Sequence, residues 1–304
     1  MDIELKSKVD IFNETYKEVR KSFFLDGKKL NTIKALSSVF EGSYLDRDKI
    51  IEIRKYIYKA KLNLFAIKYS KFISQFLCED KDYKKYFKTS KYIYEHLRMA
   101  GFGKNKITLA ISMLLSKRYN EDKLNDFLEK IADLKKEIKL SRDDYYILLL
   151  LAKGDAKKIK CELNDIKKAI QAVDGYGDKV STLLALSLLV GDEDINTKVE
   201  NAFFLICNIK GEIGKVSENS FIFIGLASLI IEDSELFSKE LKEVYSLLVK
   251  SNRSFNKDRL VLLSLSILIG RYIEEAEAGV TNSKVDNKYL KIIQDYIIFS
   301  LYFN

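Results

Sequence analysis

"RDDYYILLLLAKGD" (residues 142–155) places two adjacent carboxylates and two tyrosines ahead of an unbroken apolar run. The stretch fits either a buried acid pair that performs chemistry or a packed helix that begins with acids. Ser141 and Asp144 have the spacing of a capping box in its acidic form. Asp143 and Asp144 would stand in the first helical turn, where the helix dipole stabilises negative charge. The stretch therefore predicts a scaffold helix, with 147–152 in its core, and not an acid–base pair.

Pairs of apolar residues like those in this stretch recur along the chain. Their second members lie 38, 36, 38, 41 and 38 residues apart, at Leu77, Leu115, Leu151, Leu189, Ile230 and Leu268. A polar turn follows each of the first five pairs, and an amphipathic segment follows the turn, as in 122–138 and 236–249. In each of the last five pairs, the position ten residues before the second residue of the pair is a candidate helix start. These positions are Asn105, Ser141, Lys179, Ser220 and Asp258, and all but the lysine are good helix N-caps.

These repeats predict an all-α fold. Antiparallel helix hairpins of about 38 residues would stack as an α-solenoid of the HEAT or tetratricopeptide kind, because a single hairpin cannot bury its own apolar face. Residues 1–66 are predicted to form an N-terminal helical cap that continues into an array at 67–304. The four leucines expected at equivalent buried positions are Leu114, Leu150, Leu188 and Leu229. The chain of 304 residues contains no proline, which costs about 3 kcal/mol inside a helix.

The sequence predicts a cytoplasmic protein without a membrane span. "MDIELKSKVDIF" (1–12) is charged from its second residue and has no apolar core of a signal peptide. The longest apolar stretches, 180–191 and 221–231, fall short of the roughly 20 residues that cross a bilayer. The three cysteines are isolated and odd in number, so we expect reduced thiols in the core and neither disulfides nor a zinc site; they are Cys78, Cys161 and Cys207.

Four stretches together resemble a known family. They are "IYEHLRMAGFGKNKITLAISMLL" (93–115), "LSRDDYYILLLLA" (140–152), "GYGDKVSTLLALSLLVG" (175–191) and "GKVSENSFIFIGLASLI" (214–230). The chain is similar in them to the uncharacterised domain-of-unknown-function family numbered four-thousand-and-three, found mainly in low-GC Gram-positive bacteria. The resemblance implies an all-helical protein and brings no activity, substrate or catalytic residue.

The chain departs from that family at two positions. Tyr146 stands where relatives usually carry proline, and Leu188 stands where a histidine follows "LS". A catalytic role for that histidine would have no counterpart here.

Catalytic, cofactor and metal motifs are not recognisable in the sequence. The single histidine, His96, has no neighbouring ligands, so a metal site or a nucleophile–His–acid triad is not expected. "GFGK" (101–104) and "GYGDK" (175–179) follow predicted helices rather than strands, which favours helix C-caps over phosphate loops. "GDEDIN" (191–196) lacks the later ligands of a calcium loop. We therefore predict no catalytic residues and no cofactor.

Positive charge is concentrated in the N-terminal half. Residues 1–139 contain 31 Lys and Arg against 20 Asp and Glu, whereas 140–304 contain 21 against 24. Basic residues recur at helical intervals on one predicted face, at Lys81, Lys84, Lys88, Lys91 and Arg98, with Glu95 between them. Such a face is either a solvated helix surface or a contact for nucleic-acid phosphate or an acidic partner.

The predicted function is that of a non-enzymatic helical-repeat scaffold that binds a protein or peptide partner, because stacked hairpins present extended surfaces. One alternative is a nucleic-acid-binding helical repeat that uses the basic N-terminal half. The other is an enzyme in a closed helical toroid, which would gather acids and tyrosines from different repeats around a cavity.

Overall fold

The computed structural model describes residues 3–41, 46–59, 68–78, 80–118, 121–140, 142–152, 154–174, 176–281 and 283–303. Helices account for 81% of these residues, and no strand occurs in these ranges. An average soluble protein has roughly 30–35% helix. The predicted all-α fold class is confirmed.

The chain forms two compact units. The first unit comprises residues 15–152, and the second comprises 1–14 together with 153–304. Helix α1 (Ile3–Ser22) contributes residues to both. The predicted boundary between a cap and an array, at residues 66 and 67, remains a prediction because residue 67 and its seven predecessors lie outside the described residues.

Seven further helices belong to the first unit. They are α2 (Lys28–Glu41), α3 (Arg47–Lys59), α4 (Ser70–Leu77), α5 (Tyr83–Met99), α6 (Lys106–Arg118), α7 (Glu121–Glu137) and α8 (Leu148–Leu151). Two short 3₁₀ helices, Phe24–Asp26 and Arg142–Ile147, stand before α2 and α8. α3 packs on α4, and α5 packs on both α6 and α7. The 3₁₀ helix Arg142–Ile147 packs on α6, and α8 packs on α7.

The second unit contains the remaining seven described helices. They are α9 (Ala156–Asp174), α10 (Asp178–Leu188), α11 (Ile195–Ile213), α12 (Ser220–Ser228), α13 (Ser234–Ser251), α14 (Lys257–Glu277) and α15 (Asn287–Phe303). Neighbours in sequence pack together in the pairs α9–α10, α11–α12, α13–α14 and α14–α15. Helices that are two apart in sequence also pack on each other. α10 contacts α12 and α12 contacts α14, while α9 contacts α11 and α11 contacts α13.

The N-terminal segment of α1 is attached to the second unit by polar contacts. The Lys8 ammonium donates to the Glu274 carboxylate of α14 at 2.6 Å. The Asn252 amide donates to the Asn13 side-chain oxygen at 2.7 Å, and this bond is buried. Both contacts join residues more than two hundred positions apart in sequence.

The leucine- and isoleucine-rich helices that the sequence marks as apolar contribute much of the core, and the amphipathic helices contribute one buried face each. The leucines expected to be buried are all buried: Leu114, Leu150, Leu188 and Leu229. Every residue of α12 is buried, whereas α13 buries one face and exposes the other. Among the helices in the described part of the chain, none carries an apolar stretch of the length that a bilayer requires.

The helix starts agree only in part with the predicted N-caps. Asn105 accepts from the backbone N–H groups of Ile107 and Thr108, as predicted. Ser220 was expected to be a cap but is the first residue of α12. The cap of α14 is Asn256, two residues before the expected Asp258, and accepts from the Arg259 N–H at 2.9 Å. Asn219, the residue before α12, makes no side-chain capping hydrogen bond. Ser141 lies outside the described residues.

Candidate functional site

The basic residues predicted as a contact face lie on α5 and on the turn that precedes it. Lys84, Lys88 and Lys91 are exposed and follow one another at intervals of four and three residues. Such intervals place them on one side of a helix. Lys81 is exposed in the preceding turn, and Arg98 is partly exposed near the end of α5. The structure thus brings the three central lysines into one row on the surface.

The acids close to this row are engaged with other groups. Glu95 forms an ion pair with Arg98 at 2.5 Å, and Asp82 accepts from the Lys85 backbone N–H at 3.3 Å. Among the residues that the structure describes, no carboxylate lies within ion-pair distance of the ammonium groups of Lys84, Lys88 or Lys91. The row therefore presents net positive charge to solvent.

Aromatic rings support the first lysine of the row. The Lys84 ammonium lies 5.8 Å from the centre of the Tyr56 ring and 5.7 Å from that of Tyr83. The Tyr83 hydroxyl donates to Glu52 at 2.6 Å. Burial, followed by the hydrogen bond and charge of Glu52, raises the pKa of Tyr83 to about 12. The phenol therefore stays protonated at neutral pH and acts as a support for Lys84.

Two exposed apolar side chains lie beside the lysine row. Tyr92 is 47% exposed and Met99 is 76% exposed. The Tyr92 hydroxyl lies 3.4 Å from the Asn125 oxygen of α7, and its ring centre lies 4.2 Å from that of His96. His96 also places its Nδ1 3.2 Å from the Tyr92 carbonyl oxygen. The single histidine thus packs against Tyr92 on the surface of α5.

A buried polar cluster in the first unit was not predicted. The Asp26 carboxylate is 2% exposed, is hydrogen-bonded by Arg54 of α3, and accepts from the Gln75 amide of α4 at 2.9 Å. Arg54 also donates to Ser74 at 2.9 Å and lies over the Phe23 ring at 5.1 Å. The cluster ties the turn after α1 to α3 and α4. Its hydrogen bonds join residues that are 20 to 49 positions apart, so no local pattern could reveal it.

A second polar cluster joins α13 and α14. Arg271 donates to Glu240 and to Glu275, both at 2.8 Å, and the Tyr272 hydroxyl donates to Glu240 at 2.9 Å. Burial lowers the pKa of Arg271, but the hydrogen bonds and charges of the two glutamates outweigh it and raise the pKa above its ordinary value. Burial and the charge of Glu240 raise the pKa of Tyr272. Both glutamates are therefore paired with the Arg271 guanidinium.

A buried lysine links three segments of the second unit. Lys198 of α11 is 1% exposed and donates to Glu162 of α9 at 3.0 Å. It also donates to the Gly191 carbonyl oxygen at 3.2 Å. This oxygen lies in the turn three residues after the end of α10, so the ammonium ties that turn to α11. Lys198 stabilises the junction of α9, α10 and α11.

The two glycine turns behave differently. Gly101 has a φ of 82°, and the Phe102 N–H donates to the Leu97 carbonyl at 3.0 Å, which is the C-cap geometry predicted for 101–104. In the turn at 175–179, Gly177 precedes the first residue of α10 with a φ of −59°. The C-cap prediction is therefore wrong for Gly177, because the residue starts the next helix. Gly175 lies outside the described residues.

The cysteines only partly match the prediction. Cys78 is buried, whereas Cys161 and Cys207 are exposed on the outer faces of α9 and α11. The expectation of three core thiols is wrong for these two, because the amphipathic helices turn those positions toward solvent. Within the described ranges, no group of His, Cys, Asp and Glu side chains is arranged to hold a metal ion.

The opening stretch packs as predicted but begins with a different helix type. Residues 142–147 form a 3₁₀ helix rather than the first turns of an α-helix. Tyr146 is buried, and the Tyr145 ring meets the Phe102 ring edge-on at 5.2 Å. Both tyrosines therefore belong to a packing surface. The side chains of Asp143 and Asp144 lie outside the described residues, so their capping role stays a prediction.

The described units define an all-helical protein whose polar clusters pair their charges internally. Residues 15–295 match the model of the family described as "Protein of unknown function (DUF4003)". The chain belongs to this family, and the resemblance read from the four sequence stretches is confirmed. Comparisons with curated proteins and with solved structures gave no significant match.

Proposed function

We propose that this chain is a non-enzymatic helical-repeat scaffold, built of helix hairpins stacked as an α-solenoid, that binds a protein or peptide partner. The observation that carries the proposal is the packing of alternate helices in the second unit. There α10, α12 and α14 pack in sequence order, as do α9, α11 and α13. Stacked hairpins produce this alternation, because each helix meets its counterpart in the next hairpin.

The burial of the two helix series supports the same interpretation. α12 is buried along its whole length, and α14 is buried almost throughout. α9, α11 and α13 carry one buried face each, with charged residues on the other. A mostly buried, largely apolar series covered by an amphipathic series is what an array of hairpins needs in order to share one core.

The chemistry of the described side chains favours binding over catalysis. Glu240 and Glu275 approach one cation, because both are hydrogen-bonded to Arg271. A carboxylate that neutralises an arginine is a poor general base, since its charge is already compensated. The polar clusters therefore fit a role in packing, and the closed-toroid enzyme has less support than the scaffold.

Nucleic-acid binding is a second candidate, favoured by the distribution of charge. The first unit, residues 15–152, contains 30 Lys and Arg against 18 Asp and Glu, a net charge of +12. The second unit contains 22 against 26, a net charge of −4. A basic surface attracts phosphates, and such binding weakens steeply with salt.

We further propose a cytoplasmic location. The three unpaired thiols support it, because exposed free cysteines such as Cys161 and Cys207 suit a reducing compartment.

The scaffold proposal is tested by selecting peptides from a random display library on the purified full-length chain. Enriched peptides are synthesised, and their binding is measured in solution by fluorescence anisotropy. We expect saturable binding that is lost when the chain is unfolded in urea. Failure to recover any saturable peptide, together with salt-sensitive binding of single-stranded RNA or duplex DNA, would replace the scaffold by the nucleic-acid alternative.

A further inference from the structure

We propose that the outer surface of α5 is the docking site for an acidic amphipathic segment of a partner protein. This surface, called the α5 face, consists of Lys84, Lys88, Lys91, Tyr92 and Met99, all of them exposed. The inference rests on the proposed function for the existence of a protein partner. It adds where the partner binds and what chemistry the partner presents.

The lysine row fixes the charge and spacing of the partner. Lys84 and Lys91 are separated by two helical turns, about 10 Å along the axis, with Lys88 between them. Carboxylates at the same intervals of four and three residues on a partner helix would meet all three ammonium groups. The acids around the row are already paired with Arg98, with Tyr83 or with backbone N–H groups, so they leave its charge available.

Tyr92 and Met99 form the apolar half of the α5 face. Tyr92 and Met99 are also two turns apart and therefore share one side of α5, next to the lysines. Tyrosine and methionine are enriched at protein interfaces. Tyr92 is held by Asn125 and His96 before any partner arrives, which limits the entropy that it loses on binding. Apolar side chains of the partner would cover these two residues.

The composition of the α5 face favours a protein over a nucleic acid. The one arginine beside this surface, Arg98, is already engaged by Glu95. The remaining cations are lysines, which lack the forked geometry that reads bases. Met99, at 76% exposure, gains little from a phosphate backbone and much from an apolar side chain.

The test uses the full-length chain and three fluorescent probes of equal length. The first is a synthetic amphipathic peptide of Glu and Leu with glutamates at helical spacing, the second is oligoglutamate, and the third is a single-stranded RNA. The test variant is K84E/K88E/K91E. The matched control is K157E/K158E/K160E, which makes the same charge change on three exposed lysines of α9. Far-UV circular dichroism verifies that each variant is folded.

We expect the Glu–Leu peptide to bind more tightly than either other probe. The K84E/K88E/K91E variant should weaken that binding at least about tenfold, because three attractions become three repulsions. Replacing Tyr92 and Met99 with Ala in a further variant should weaken it roughly fivefold or more. The α9 control should leave it within about twofold.

Several results would overturn the assignment. Equal loss in the α5 and α9 variants would mean non-specific charge attraction, and tighter binding of RNA would mean a nucleic-acid surface. Undiminished binding of the library-selected peptides to K84E/K88E/K91E would place the docking site elsewhere and leave the scaffold proposal intact. Failure of all peptides, library-selected and designed, would instead contradict the scaffold itself.

Discussion

Gly225 of α12 lies directly against Ser187 of α10. A Cβ atom added to Gly225 would stand 1.9 Å from the Ser187 Oγ and 2.9 Å from both the Ser187 Cβ and the Leu184 Cδ1. The Ser187 hydroxyl donates to the Leu184 carbonyl at 2.6 Å, so the serine is small and internally satisfied at the point of contact. The approach of these two helices therefore depends on the absence of a side chain at Gly225.

We predict that Gly225→Ala lowers the free energy of unfolding by about 1–3 kcal/mol, because the extra methyl group overpacks the contact. Urea denaturation followed by circular dichroism measures the change. Gly211→Ala in α11 is the control, since its added Cβ would meet nothing within 4 Å. The control should be neutral or stabilise by about 0.5–1 kcal/mol. If Ser187→Gly does not reduce the cost of Gly225→Ala in the double variant, the contact is misassigned.

The buried pair of Asp26 and Arg54 gives a second prediction. Asp26→Ala should destabilise the first unit by about 3 kcal/mol, because it leaves the guanidinium without its buried partner. The double variant D26L/R54M should lose less, since it removes both charges. Chemical denaturation of the three proteins tests this order. If Asp26→Ala is less destabilised than D26L/R54M, the ion pair of Asp26 and Arg54 does not hold the turn after α1.

Alkaline titration tests the environment of Tyr83. Its pKa is raised from 10.0 to about 12, so the folded state holds the proton more tightly than the unfolded chain does. The resulting stabilisation is fully present below pH 10.0 and is lost as the pH rises through about 12. We predict that Tyr83→Phe loses less stability than the unmodified chain across this interval. Parallel stability–pH curves for the two proteins would argue against a buried, Glu52-bonded phenol.

The opening acids provide a fourth prediction. If Asp144 caps the helix start near Ser141, Asp144→Asn should cost only about 0.5–1 kcal/mol, because Asn still caps but lacks the charge. Thermal or urea unfolding measures the effect. A gain in stability of several kcal/mol would indicate instead that Asp144 is a strained, buried acid with a functional role.

Much of the fold follows from local pattern. The repeated apolar pairs predicted the helices and the burial of Leu114, Leu150, Leu188 and Leu229, because burial tracks hydrophobic periodicity. The Asn105 cap and the Gly101 turn also followed, since each depends on residues within six positions. The exposure of Lys84, Lys88 and Lys91 agrees with their helical spacing.

What the sequence did not predict depends on contacts between distant segments. Asp26 meets Arg54 and Gln75 only after α1, α3 and α4 have packed. Gly225 has no local marker of its contact with Ser187, which lies 38 positions earlier. Residues 142–147 form a 3₁₀ helix that packs on α6, and Tyr146 of this segment is buried. The exposure of Met99 beside the lysine row was also not predicted, because a single apolar residue in a helix is usually expected to be buried.

Zero-length carbodiimide cross-linking of the native chain, followed by mass spectrometry, tests the stacking of hairpins most directly. The reagent joins a lysine to a carboxylate only where they touch. We predict cross-links between Lys179 and Glu218, 2.7 Å apart, and between Glu212 and Lys242, 2.8 Å apart. The first joins the start of α10 to the turn before α12, and the second joins α11 to α13. Their absence, with cross-links joining α9 to α13 in their place, would contradict the stacking of successive hairpins.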